Sequence, residues 1–215
     1  MSEQIISALR GGDAQAALEL AKALLAQEPH NPDGHYWLAL SHQGLGEKAL
    51  ALSAIDKAIE MAPERNEFAM VRSVMLLDEE DLAAAQSGLM DTLALNPNQI
   101  EAYVALIHIA LAQKNLPEAL RLLRLVERVN PDNQHVLLAK GAVLQAEGDL
   151  DEALKYFTRG SEINPSNPLA LSRLGMLYLG KDMPAFAEQA LKRAYALAPG
   201  NIVMLRGLLQ SQLKQ

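Results

Sequence analysis

Proline stands at Pro29, Pro63, Pro97, Pro131, Pro165 and Pro199, each 34 residues after the last. At one constant distance ahead of each lies an alanine: Ala17, Ala51, Ala85, Ala119, Ala153 and Ala187. A period this strict is hard to reconcile with a single globular core, where every segment meets different surroundings. It points to one supersecondary unit built repeatedly and stacked, each copy covering the apolar face of the next.

Each unit reads as two helices. Asn31, Asn133, Asn167 and Asn201 share a column just after the proline, where an amide side chain can cap free backbone N–H groups. Pro32 and Pro168 then fall in a first turn, where a missing N–H is harmless. A second start follows at Asp13, Glu47, Asp81, Asn115 and Asp149, with Gly12, Gly46 and Gly148 before three of them to let the chain turn. Apolar residues recur at three- and four-residue spacing, and no stretch alternates with period two. The pattern predicts six helix pairs and a terminal helix over 201–215, with no sheet. Half the residues are apolar but only 4% are aromatic, so the core falls to Ala and Leu. The alanine column fits that economy, because a small side chain lets two helix backbones cross closely.

Leu174-Gly175 and Tyr178, followed by Ala187, Ala194 and Pro199, resemble the tetratricopeptide repeat family, as do Gly141, Gly148, Ala153, Phe157 and Pro165 one unit earlier. The resemblance covers essentially the whole chain and is to bacterial-type members. It implies an all-α, right-handed superhelical solenoid of stacked antiparallel helix pairs, one domain over 1–215, with first helices lining a concave groove. There are departures. The small residue beside the first-helix leucine is Gly141 or Gly175 in two units but Ala39, Ser73 and the bulky Ile107 elsewhere. Arg72 and Lys140 replace the leucine kept at Leu38, Leu106 and Leu174. Their charged ends are expected in the groove or on a carboxylate, not in the core.

Little in the chain suggests chemistry. A formal charge of −7 argues against nucleic acid or an anionic membrane as partner. No apolar run is long enough to span a bilayer, and the first residues lack the basic-then-apolar order of a leader, so a cytoplasmic protein without membrane insertion is expected. With no cysteine there is no disulfide, thiolate zinc site or thiol nucleophile. His35 and His42 share a helix face, but no recognised ligand spacing accompanies them. Asp78, Glu79, Glu80 and Asp81 read as a solvated turn, since no loop pattern would make their oxygens converge. Arg121, Arg124 and Arg128 read as a solvated outer face near Glu118 and Glu127. Serines have no nucleophile elbow, and no glycine loop could cradle a phosphate. The chain is therefore expected to be non-catalytic, without cofactor or metal.

The resemblance assigns the groove to Tyr36, Leu40 and Gln43; Met70, Val74 and Leu77; Val104, His108 and Leu111; Leu138, Ala142 and Gln145; and Ser172, Met176 and Leu179. Most are apolar, which fits an apolar or amphipathic segment of a protein partner. The alternative is that they pack against neighbouring repeats. The Lys, Arg and Asn with which some members clamp C-terminal carboxylates are missing from these positions. The column that carries an asparagine ladder in others reads Trp37, Val71, Ala105, Ala139 and Arg173. Asp33, Glu67 and Glu101 form an acidic rim, ending at His135 and Leu169. They could select a basic partner or simply meet the positive ends of their helices. Ile202, Leu205, Leu208, Leu209 and Leu213 stripe the terminal helix. Leu205, Leu208 and Leu209 are the candidate association face, for a second copy or a downstream segment. Two readings of function remain: a free-standing interaction scaffold, or the recruiting region of a larger, possibly enzymatic protein.

Overall fold

The computed structural model describes residues 1–78, 81–199 and 201–214, the side chains of Leu77 and Asp78 excepted. Thirteen α-helices and no strand occur among the described residues. The first helices of the pairs are α1 (Ser2–Arg10), α3 (Pro32–Gly44), α5 (Asn66–Asp78), α7 (Ile100–Ala112), α9 (Gln134–Glu147) and α11 (Pro168–Gly180). The second helices are α2 (Ala14–Gln27), α4 (Lys48–Met61), α6 (Leu82–Leu95), α8 (Leu116–Val129), α10 (Leu150–Ile163) and α12 (Pro184–Leu197), and α13 (Ile202–Leu213) ends the series. The prolines of the period lie in the turns that close the second helices.

The caps act where their spacing placed them. Asn31, Asn133, Asn167 and Asn201 each accept backbone N–H groups of the following first turn. Asp13, Asp81, Asn115 and Asp149 accept from Ala16, Ala84, Glu118 and Glu152. Each such cap is worth about 1 kcal/mol. Glu47 makes no cap hydrogen bond; its carboxylate lies 2.6 Å from Nδ1 of the buried His42.

Helices pack into two compact units, Met1–Ala102 and Tyr103–Gln215, divided within α7. All six alanines of the period are at most 1% exposed. In the first unit one cluster gathers Ala39, Ala51, Ile55, Ala58, Phe68 and Met75, and another gathers Ile5, Ala17, Ala21 and Leu24. In the second, Leu138, Ala142, Ala153, Phe157, Leu174 and Leu177 form the larger cluster. The departures from the small-residue column are absorbed by their neighbours. A Cβ on Gly141 would come 2.7 Å from the Phe157 ring, and one on Gly175 would come 2.6 Å from Leu191. Where Ser73 replaces glycine, the facing residue is itself Gly88, whose added Cβ would lie 2.6 Å from the serine hydroxyl. Ile107 is fully buried.

Candidate partner-binding surfaces

In the first unit the first-helix face is open but its charges are tied down. Tyr36, Leu40, Gln43 and Met70 are half-buried and Val74 is exposed, whereas the side chain of Leu77 lies outside the described residues. Tyr36 packs on Phe68 with ring centroids 5.2 Å apart, and the Arg65 guanidinium sits 4.3 Å above Phe68. Arg65 donates to Asp33 at 2.7 Å and, through Nε, to Glu67 at 2.8 Å. Two members of the acidic rim thus share one arginine. The third, Glu101, accepts from the Gln99 amide at 2.9 Å. The hydrogen bonds from Arg65 hold the Glu67 carboxyl below its ordinary range, while burial and then Glu67 push the Tyr36 hydroxyl up. Arg65 was readable as a base two residues before Glu67, but its reach to Asp33 of the preceding repeat was not.

Arg72 and Lys140 keep their heads on carboxylates. Arg72 Nε meets Asp56 at 2.5 Å, and Lys140 Nζ meets Glu127 at 2.6 Å while lying 4.6 Å from the centre of the Tyr156 ring. Glu127 therefore serves the next first helix rather than the Arg121 row. Arg121 pairs with Glu118, and Arg124 and Arg128 stand exposed.

In the second unit the corresponding face is more closed. Leu138, Ala142, Ser172 and Leu179 are buried, Val104, His108 and Leu111 are half-buried, and Gln145 and Met176 are exposed. Packing between repeats accounts for Leu138 and Ala142, which contribute to the cluster of Phe157, Leu174 and Leu177, whereas Leu179 packs within its own helix pair on Ala187 and Leu191. Burial, followed by the nearby Arg173 guanidinium, drives the His108 pKa down to about 4. Burial also lowers that of Arg173. Sequence reasoning passed over Arg173 because its column was read only for an asparagine ladder.

The terminal stripe divides in two. Met204 packs with Leu171 and Ala194, and Leu208 turns inward against Leu179, Ala187 and Leu191. Leu208 thus belongs to the packed side of α13. Ile202, Leu205, Leu209 and Leu213 are exposed at 73%, 37%, 51% and 89% and, with Arg206 and Gln210, border an open trough of about 470 Å³.

The histidines do not converge on a common ligand. His35 Nε2 lies 3.3 Å from the Pro29 carbonyl, and His42 meets Glu47. Among the described residues no group of three or more His, Asp or Glu side chains could hold a metal ion, and no helix is long and apolar enough to cross a membrane. In the acidic turn, Asp81 caps α6; Glu79, Glu80 and the Asp78 side chain lie outside the described residues.

The tetratricopeptide repeat family model matches residues 8–74, 76–143 and 144–211. Similar solved structures include the Cut9–Hcn1 hetero-tetramer of the APC/C, with a TM-score of 0.76 and 15% identity over 96% of this chain and 41% of that one. PilF of Pseudomonas aeruginosa has a TM-score of 0.69 and 19% identity over 99% and 95% of the two chains. YrrB, described as a TPR protein with an unusual peptide-binding site, has a TM-score of 0.54 and 20% identity over 88% and 98%. The chain spans less than half of the Cut9–Hcn1 chain it matches. At these identities the likeness is one of fold. No curated protein matches the chain by sequence.

Proposed function

Because the chain belongs to the tetratricopeptide repeat family, we propose that it is a non-catalytic scaffold holding an apolar or amphipathic segment of a protein partner against its first helices. The observation that carries this reading is the face of α3 and α5. There Tyr36, Leu40, Met70 and Val74 keep apolar surface open while the charges around them are paired within the chain. Such a surface recovers free energy when a partner covers it, about 25 cal/mol for each Å² removed from water. Arg65 offsets part of the charge of the acidic rim, and apolar contact is the main source of recognition in this reading.

The test is capture of a binding segment by variants of the whole chain. Val74→Glu, on the first helix α5, is expected to reduce binding at least tenfold. Leu50→Glu, at an exposed position of the second helix α4, is expected to leave it unchanged. Binding lost only with Leu50→Glu would place the contact on the other face and end this reading.

The exposed side of α13 favours a second contact, self-association through Ile202, Leu205, Leu209 and Leu213. Light scattering across concentration is expected to show a mass increase that Leu205→Glu/Leu209→Glu abolishes. A wild type that stays monomeric at high concentration removes the idea.

A further inference from the structure

Five cationic side chains are half-buried among the described residues: Arg65, Arg72, Lys140, Arg173 and Lys181. Four are matched. Arg65 holds Asp33 and Glu67, Arg72 holds Asp56, Lys140 holds Glu127, and Lys181 holds Asp151. Arg173 has no hydrogen bond or ion pair among the described residues, and no neighbouring anion offsets its burial. Holding a cation partly out of water without a counter-charge is costly.

Its surroundings on α11 specify what would complete it. Leu169 and Met176, four residues before and three after, share its helix face and are 46% and 39% exposed. The rim column that carries Asp33 and Glu67 in the first unit carries His135 and Leu169 here, so the rim supplies no carboxylate. His108 stays neutral at ordinary pH and adds no second positive charge. The result is one cation framed by exposed apolar groups.

We propose that Arg173 receives an aspartate or glutamate side chain carried within an apolar partner segment, with Leu169 and Met176 contacting the residues on either side. A guanidinium suits this task because its planar donors meet both oxygens of a carboxylate, and the pair strengthens once the segment excludes water. This inference rests on the scaffold reading above and names one feature of its partner.

The test displays random sixteen-residue segments between two carrier domains, so that neither terminus is free, and selects them on the whole chain. Wild type is expected to enrich apolar segments with one Asp or Glu, and Arg173→Met to lose that acidic preference. Replacing the selected acid by its amide should weaken binding to wild type about tenfold and leave binding to Arg173→Met unchanged. Apolar segments without an acidic preference would overturn this inference and leave the scaffold reading intact. Segments that ignore both Val74→Glu and Met176→Glu would overturn the scaffold reading, and failure to enrich any segment counts against both. Arg173→Met should also melt a few degrees above wild type, since it removes a half-buried charge that no described residue neutralises. A lower melting temperature would mean that the guanidinium serves the fold, and the inference falls.

Discussion

The two compact units follow one 34-residue register yet close their first-helix faces differently. In the first, Tyr36, Leu40 and Met70 remain half-open, and the cations Arg65 and Arg72 are neutralised by Asp33, Glu67 and Asp56. In the second, Leu138, Ala142, Ser172 and Leu179 are drawn into the interior, while Arg173 has no anion partner among the described residues. The small-residue column accompanies this contrast. The first unit has Ala39 and Ser73 there; the second has Ile107 on α7, where the face stays half-buried, and then Gly141 and Gly175, against which Phe157 and Leu191 lie where a Cβ would stand. Removing a Cβ lets a second-helix side chain reach the first-helix backbone, and residues that would face outward become core. Exposed apolar surface is thus set repeat by repeat, within a constant backbone plan.

The most severe way to break this contrast is to remove what fills the glycine's space. Phe157 is fully buried, and Phe157→Ala is expected to destabilise by about 3–5 kcal/mol in urea unfolding. Gly141→Ala should cost about 1–3 kcal/mol by overpacking. With Phe157→Leu added, the Gly141→Ala penalty should shrink, because the two residues contend for one space. If Gly141→Ala is neutral by itself, close approach is not what separates the units.

Acid sharpens the contrast next. His108 titrates at about 4 in the folded chain against 6.5 ordinarily, so as pH falls the unfolded chain takes up its proton first. The stability gained from a neutral His108 is complete above about pH 6.5 and is lost progressively down to about pH 4. A shift of this size corresponds to up to about 3 kcal/mol. His108→Gln should flatten the profile over that window relative to wild type, as read by urea midpoints. Parallel profiles for the two proteins would mean that His108 is not closed off as described.

The helix pairs were legible because their signals are local. A cap acts within one turn, and the alanine column marks a contact that every repeat makes in the same way. The surfaces were less legible, because burial depends on residues far away in sequence. Nothing in the spacing of Leu138 and Tyr36, members of one column, says that the first is buried and the second half-open. That difference depends on neighbours such as Phe157 and Phe68. Arg65 reaches back to the preceding repeat, so a rim read as facing either a basic partner or its own helix ends has two of its members paired with an arginine. Arg173 was visible in the sequence, but that it has no anion partner among the described residues emerges only from the structure.

The smallest expected effect lies in the turns between paired helices. The described turns of the first unit use Gly12 and Gly46, with φ of 78° and 75°. The second unit uses Gly148 at 90°, but Lys114 and Asp182 hold the same place in other repeats at 57°. A side chain in that left-handed region costs about 1–2 kcal/mol, partly offset because glycine loses more freedom on folding. Lys114→Gly should therefore stabilise by about 0.5–1 kcal/mol. Asp182→Gly should gain less, since it also gives up the exposed 3.0 Å pair with Lys214. The reverse change, Gly148→Ala, meets no atom within 4 Å, so any loss comes from backbone strain alone. Urea midpoints that rise for Lys114→Gly and fall for Gly148→Ala would show that the second unit carries backbone strain that the described turns of the first avoid. If Lys114→Gly lowers stability, the lysine side chain makes a contact worth more than the strain it bears, and the turns of the two units are equivalent.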